Sequence, residues 1–355
     1  MPSLPDRSLP QYTPPWYLRS GHVQTIITGF YRPLATLPNA TVHRLPIGPM
    51  GSMLIHENQP DPSVAAPDAP AVLLLHGLGS SHQGTYMTNI AHGLLARGMR
   101  VFRADLPGAG PSCQFTPLPP HGACHGLIYS CLEQLSTILG IERWSIAGVS
   151  LGGSITLRML SDSLPRAEHE AREHGRPMPF QIVRAIAVAP PIDLAASCAN
   201  VEQGLNRIYA RYFVRALKKQ SRERAALWDV WKERLRHADF SSIRKFDETM
   251  TVHLAGFRDL DDYYSSGSSR DILHRINVPT TLLIDEHDPI VPKSLFDGVQ
   301  YSASTELIRT RFGGHVGYLC RNSKNEAVPT EGRFHRWADA WIVRALAAPI
   351  GANTP

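Results

Sequence analysis

The chain has 355 residues, a formal net charge of +5, and 43% hydrophobic against 19% charged residues. These are the values of a folded globular protein large enough for one big domain or two smaller ones. No apolar run approaches the roughly 20 residues that span a bilayer. The first twenty residues, MPSLPDRSLPQYTPPWYLRS, lack the continuous apolar stretch and cleavage pattern of a secretory signal, so a cytoplasmic protein is expected. The five cysteines, Cys113, Cys124, Cys131, Cys198 and Cys320, are odd in number and form no C-x-x-C pair, which argues against a disulfide framework and a zinc knuckle. No long basic run or aromatic–basic alternation points to nucleic acid.

Residues 1–68 read as an N-terminal extension packing on the core, ending in the Pro/Ala/Asp connection NQPDPSVAAPDAP (58–70). Strand and helix signals then alternate. AVLLLHG (71–77) is an apolar run closed by glycine, suited to a strand buried on both faces. A helix near 85–97, a strand over 99–108 and a helix near 125–139 follow. RWSIAGVS (143–150) runs as a strand straight into a helix over 151–162, and IVRAIAVAP (182–190) is the next strand. Regular alternation stops at 194–271, a segment containing a basic, helical stretch without strand pattern (205–240). Strands resume at 278–289 and 304–315, and a helix closes the chain at about 331–347. The order predicts an α/β fold with a doubly wound, mostly parallel sheet. Its core would comprise 69–193 and 272–350, with 194–271 inserted as a helical cap over the carboxyl ends of the strands, where such sheets bind ligands.

AGVSLGG sets Gly148, Ser150 and Gly152 in a G-x-S-x-G pattern between an apolar strand and a helix. That is the setting of a nucleophile elbow, in which flanking glycines make room for a strained serine turn. The helix beginning at Leu151 would aim its amides at whatever Ser150 attacks. A second oxyanion donor is expected in HGLGSS (76–81), with the amide of Leu78 as candidate; His76 would act through backbone and packing.

In this arrangement the partners follow the serine in the order acid, then histidine. His315, in the strand-end loop RFGGHVGYL, has that place. His22, in the look-alike RSGHVQTII, precedes the whole sheet and is assigned a structural task, pinning the extension together with Trp16 and Gln24. LLIDEHDPIVP offers Asp285, Glu286 and Asp288 as acids; Asp285 still belongs to the strand, and Asp288, past its edge, is preferred. Asp193 in APPIDL also satisfies the order and is the alternative acid. His121 and His125 have i,i+4 spacing without a third ligand, so no metal is expected, and the chemistry requires no cofactor. In the insertion, Tyr209, Tyr212, Phe213, Leu227, Trp228 and Trp231 are candidates for an acyl-chain entrance, and the basic surface suits transient contact with a membrane.

Several of these stretches together resemble the YheT-like branch of the α/β-hydrolase superfamily, related to ABHD-type esterases and lipases. PPWYLRSGHVQTI resembles its N-terminal Gly-His-x-Gln-Thr segment, HGLGSSHQGTY its oxyanion turn, and GVSLGG its elbow. IRKFDETMTVHLAGFRDLDDYYSSGSS resembles the stretch before the acid strand, and DPIVP and GGHVGYL the acid and base loops. The resemblance covers nearly the whole chain. It implies a Ser150–Asp288–His315 triad and hydrolysis of carboxylic esters, of short- to medium-chain or lipid-like type, through an acyl-enzyme. DLPGAGPS (105–112) departs from the branch's usual Asn-x-Arg-Gly loop, and HGACHGLIYSCL lacks its usual acidic residue; both bear on pocket shape. Two rival expectations are an acyltransferase, with an alcohol replacing water, and a non-catalytic binding protein on the same fold.

Overall fold

The computed structural model describes residues 11–30, 37–66, 68–321 and 334–350. The expectations for residues 1–10 and for a helix start at 331–333 lie outside the described residues. Chain order begins with α1 (Gly21–Thr28), β1 (Thr41–Pro46), β2 (Ser52–Asn58), β3 (Ala71–Leu75), α2 (Thr85–Leu95) and β4 (Val101–Ala104). Next come α3 (His125–Leu139), β5 (Arg143–Val149) and α4 (Leu151–Arg158). A π-helical turn, Met159–Ser163, carries α4 into α5 (Leu164–Glu173). Pro165 explains the turn: its ring crowds the carbonyl four residues back and it has no N–H to donate, so the helix widens there.

After β6 (Gln181–Val188) the chain is helical through α6 (Leu194–Val201), α7 (Arg207–Ala225), α8 (Asp229–Leu235), α9 (Ile243–Phe246), α10 (Val252–Ala255) and α11 (Leu260–Gly267). It ends with β7 (Thr280–Asp285), β8 (Thr305–Thr310), the short pair β9 (Leu319–Arg321) and β10 (Phe334–Arg336), and α12 (Trp337–Ala347).

Strands β1 to β8 form one sheet in the order β1-β2-β4-β3-β5-β6-β7-β8. Pairs from β4 through β8 are parallel, while β1 and β2 add antiparallel to one edge. Alternation along β3 shows how the layers form. Val72 and Leu74 pack with Met87, Ile90 and Leu94 of α2 and with Trp341 and Ile342 of α12. Leu73 and Leu75 pack on the other face with Ile128 and Leu132 of α3 and Ile155 of α4. A strand buried on both faces reads as an unbroken apolar run, as β3 does.

Residues 41–58 fall within the stretch read as an extension, yet they supply the first two strands of the sheet. Their sequence hides this because the buried end of β2 is polar. His56, Glu57 and Asn58 are all buried. Each is matched: His56 to Asp105 at 2.9 Å, Glu57 to Arg100 and His43 at 2.6 Å each, and Asn58 to Arg103 at 2.9 Å.

Candidate active site

Ser150 sits between β5 and α4 with φ 53° and ψ −121°, a left-handed conformation that a side chain resists. The flanking glycines are sterically required. A Cβ on Gly148 would lie 2.2 Å from the Gly152 carbonyl oxygen, and one on Gly152 would lie 2.3 Å from that of Leu75. Gly77 is held close as well, since a Cβ there would lie 3.1 Å from the Cβ of Ser150. The elbow is anchored to the sheet by the Ser150 amide, which donates to the Val188 carbonyl at 2.8 Å.

His315 lies between Ser150 and Asp288. Its Nε2 is 2.9 Å from the Ser150 hydroxyl and its Nδ1 is 2.8 Å from Asp288 Oδ2. The other oxygen of Asp288 accepts the amides of Ile290 and Val291 at 2.8 and 2.9 Å, which fixes the buried carboxylate. Asp193, the alternative acid, is elsewhere: it caps α6 by accepting the Ala196 amide at 2.9 Å. Asp285 serves the histidine loop differently, accepting the amides of Gly313 and Gly314 at 2.7 and 3.1 Å. Burial nevertheless pushes the Asp285 carboxyl above its ordinary range, against those hydrogen bonds.

The His315 loop is strained. Phe312, Val316 and Tyr318 have positive φ values of 71°, 60° and 53°, a conformation uncommon in any non-glycine and a true outlier for a β-branched valine. It is held from outside. Arg336 donates to the Val316 carbonyl at 2.8 Å while its Nε pairs with Asp339 at 2.9 Å. On the other side α1 supplies three contacts. The Thr25 hydroxyl accepts the His315 amide at 2.9 Å, Gln24 Oε1 accepts the Leu319 amide at 2.8 Å, and Gln24 Nε2 donates to the Leu319 carbonyl at 3.2 Å. A Cβ on Gly314 would strike the Gly21 carbonyl at 2.3 Å, so the two segments meet backbone to backbone.

The two GHV stretches are therefore in contact. The pinning expected of the N-terminal segment falls to Gln24 and Thr25. His22 instead hydrogen-bonds the Tyr209 hydroxyl at 2.9 Å with the two rings stacked, tying α1 to α7. Trp16 takes no part in this; it is 80% exposed, and the expectation for it is corrected.

A cavity of about 480 Å³ opens at Ser150 and His315, with Ile26, Phe30, Val149, Ile208, Tyr209, Tyr212 and Phe213 among its walls. Gly77 and Leu78 also line it. Among the described residues the amides of Leu78 and Leu151 donate to no protein acceptor. The turn carrying Leu78 is fastened by the Gly77 amide, which donates to the Tyr86 hydroxyl at 2.8 Å. His76 is buried with its ring accepting the Leu106 amide at 3.2 Å, and burial lowers its pKa.

Of the insertion's aromatic candidates, Tyr209, Tyr212 and Phe213 reach the cavity. Trp228 and Trp231 donate instead to the carbonyls of Cys113 and Pro117, fastening α8 to the loop after β4, and Leu227 is exposed. A second cavity of about 650 Å³ shares Thr28, Leu78, Ser80, Tyr86 and Tyr212 with the first and is walled on its far side by Gln83, Gln220, Glu223 and Arg224.

His56, His82 and Asp105 form the group among the described residues whose atoms approach closely enough for a metal ion. The two rings are parallel with centroids 3.5 Å apart, so an ion shared between them would lie out of both ring planes. The carboxylate is already occupied: it accepts both rings and the His82 amide. Burial works against the charge, but the hydrogen bonds from His56 and His82 prevail and bring Asp105 to about 2. The cluster ties the end of the oxyanion turn to β4, with Arg103 donating to the His82 carbonyl at 2.6 Å. His121 and His125 are occupied separately, His125 with the Ser163 hydroxyl at 2.7 Å and His121 with the ring of Phe257.

Sequence reasoning missed Tyr86, Thr25, Asp285 as loop holder and Arg336. The repeated GHV offered a signal for Thr25 through its neighbourhood; Tyr86 closes the HGLGSSHQGTY stretch with no role assigned to it, and Arg336 sits at the end of the short strand β10.

Comparison with known proteins gives the family of this fold. The pattern of the alpha/beta hydrolase family matches residues 72–328. YheT of Escherichia coli (strain K12), an esterase by its given name, is 25% identical over 336 residues, covering 90% of this chain and 91% of YheT. Monoacylglycerol lipase of Saccharomyces cerevisiae is 28% identical over 273 residues, covering 73% of this chain and 57% of the lipase. The crystal structure of 2,6-dihydroxy-pseudo-oxynicotine hydrolase superposes with a TM-score of 0.51 at 18% identity, over 84% of this chain and 66% of that one. With an elbow, a parallel sheet and strand-end loops of this kind, the chain belongs to the α/β hydrolase family, and the relatives it is similar to are named as esterases and lipases.

Proposed function

We propose that the protein hydrolyses carboxylic esters through an acyl-enzyme formed on Ser150. The observation that carries this reading is the position of His315, 2.9 Å from the Ser150 hydroxyl and 2.8 Å from the buried Asp288 carboxylate. In the first half-reaction Ser150 Oγ bonds to the ester carbonyl carbon while its proton passes to His315 Nε2. Collapse of the tetrahedral intermediate breaks the bond to the alcohol oxygen, which leaves with that proton. Water then adds to the acyl carbon, giving its proton to His315, and Ser150 is released with the proton returned. Asp288 holds the ring in the tautomer this requires and stabilises the imidazolium. The amides of Leu78 and Leu151, with no protein acceptor, are suited to hold the developing oxyanion.

The walls of the two cavities favour a division of the substrate. The apolar one at Ser150 suits an acyl chain, and the polar one beyond Ser80 and Tyr86 suits the alcohol portion. The helices between β6 and β7 act as a cap, with Tyr209, Tyr212 and Phe213 as the cavity wall.

The test is labelling by a fluorophosphonate probe together with turnover of p-nitrophenyl esters of graded chain length. Wild type should label and turn over, and Ser150→Ala should do neither. A folded wild-type protein that takes no label and cleaves no ester of the series refutes the proposal. Adding an alcohol and assaying for new ester measures how much of the acyl-enzyme is intercepted by transfer.

A further inference from the structure

The chain's surplus positive charge is concentrated on the helix that walls the Ser150 cavity. α7 carries seven basic residues against the single acid Glu223, a net of +6 within nineteen residues. The whole chain carries +5, so everything outside this helix is nearly neutral. Arg207, Arg211, Arg215, Lys218 and Arg222 follow one another at steps of three and four, which lines them along one stripe, and all five are exposed. Among the described residues none of the five pairs with a carboxylate.

Beside that stripe the surface is apolar. Ile208 and Tyr212, one helical turn apart, are 46% and 69% exposed, and across the mouth Phe30 and Ile26 are 78% and 43% exposed. All four also line the cavity at Ser150. A soluble surface gains nothing by showing large apolar side chains together at a cavity mouth, and such rims mark contact sites.

We infer that the exposed face of α7 and the end of α1 dock on an anionic phospholipid bilayer, so that the ester enters the cavity directly from the lipid surface. Acidic headgroups would face the cationic stripe, each cation adding a small, salt-screened increment. Phe30, Ile208 and Tyr212 would enter the headgroup–acyl boundary, where amphipathic and aromatic side chains are most stable. Nucleic acid would match the cations but leave the apolar rim in water. A second copy of the chain would bring a second +6 helix against the first.

The inference extends the esterase reading to the source of the ester, but docking needs no chemistry. Ser150→Ala should bind vesicles as wild type does, so the two readings fail separately.

The experiment is co-sedimentation of the full chain with phosphatidylcholine vesicles, with and without one third phosphatidylglycerol, at low and high salt. Wild type should partition at least about tenfold more strongly onto the anionic vesicles, and high salt should remove the difference. Arg211→Glu/Arg215→Glu/Arg222→Glu should weaken that partition by about 100-fold or more while leaving turnover of water-soluble p-nitrophenyl acetate unchanged. Phe30→Ser should weaken it several-fold with every cation in place. Wild type that stays in the supernatant with anionic vesicles overturns the inference, as does a triple variant that sediments like wild type. Binding to a short DNA duplex as tight as to vesicles, with Phe30→Ser altering neither, overturns it in favour of a general polyanion site.

Discussion

The backbone amide of His315 donates to the Thr25 hydroxyl at 2.9 Å, across 290 positions of sequence. That contact makes the N-terminal segment part of the framework of the proposed active site. The His315 loop bends through three non-glycine residues of positive φ, and such a loop keeps its shape only when its surroundings over-determine it. Gln24 is completely buried and satisfies both the amide and the carbonyl of Leu319, so its loss would leave buried groups unpaired at about 1–3 kcal/mol. Gln24→Ala and Thr25→Val should therefore slow fluorophosphonate labelling of Ser150 by about tenfold or more, measured well below the melting temperature. His22→Phe keeps the stack on Tyr209, loses one hydrogen bond and should leave the labelling rate within about twofold. Equal labelling rates in all three variants and wild type would show that α1 does not position His315.

The two aspartates after β6 and β7 separate by what they touch. Asp288 reaches His315, whereas Asp193 caps α6. Asp288→Asn should lower kcat by about 10³–10⁴ with little change in folding, because the amide can present the wrong hydrogen-bond partner to Nδ1. Asp193→Ala should leave kcat almost unchanged and lower stability by about 1 kcal/mol, the usual cost of a lost N-cap. Steady-state kinetics and urea denaturation of the two variants read these effects independently. A larger kcat loss in Asp193→Ala than in Asp288→Asn reverses the assignment.

Much of this site is legible in the sequence because its parts depend on local rules. The elbow needs glycines flanking Ser150 at fixed offsets after an apolar strand, and β3, β5, β6 and β7 are apolar runs that only a buried parallel sheet produces. Asp288 and His315 follow from order along the chain. What stays hidden is long-range and polar. β2 ends in His56, Glu57 and Asn58, each made tolerable by a partner at least fourteen residues away, so the burial of that end leaves no apolar signature and only Met53, Leu54 and Ile55 carry one. Arg336 and Tyr86 act through a backbone carbonyl and a backbone amide, and neither partner has a residue type that a sequence could reveal. The duplicated GHV was visible, but its meaning lay in Gln24 and Thr25, the residues after it.

Cavity shape gives a prediction about chain length. Ile208 lines the cavity from the exposed side of α7, where a larger side chain meets little resistance from the core. Ile208→Trp should narrow the channel and reduce kcat/KM for p-nitrophenyl octanoate about tenfold relative to p-nitrophenyl acetate, the size of effect expected when a hydrophobic pocket loses room for a few methylenes. An unchanged ratio between the two esters would mean that the acyl chain lies elsewhere, most directly in the second cavity beyond Tyr86.

Stability of the insertion should depend on pH through Asp247. Its carboxylate, in the turn between α9 and α10, accepts the Thr251 hydroxyl at 2.7 Å and the Tyr264 hydroxyl at 3.1 Å. Burial pushes it up from 3.8 to about 7, with the Thr251 and Tyr264 hydrogen bonds opposing and the nearby charge of Glu202 assisting. Below about pH 4 both folded and unfolded chains hold the proton, and the contribution of the neutral group is fully present. Between about pH 4 and 7 the unfolded chain releases a proton that the folded chain retains, so stability falls as pH rises. Above pH 7 both are ionised and the loss is complete. The residue keeps some solvent contact, so the loss is set at roughly 1–3 kcal/mol, below the full equivalent of the shift. Asp247→Asn carries no charge; its amide oxygen still accepts one of the two hydroxyls, and its NH2 donates to the oxygen of the other, much as the protonated carboxyl does. It should raise the urea midpoint at pH 8 while changing it little at pH 5, and a variant that is destabilised equally at both values would show that Asp247 folds as the charged form.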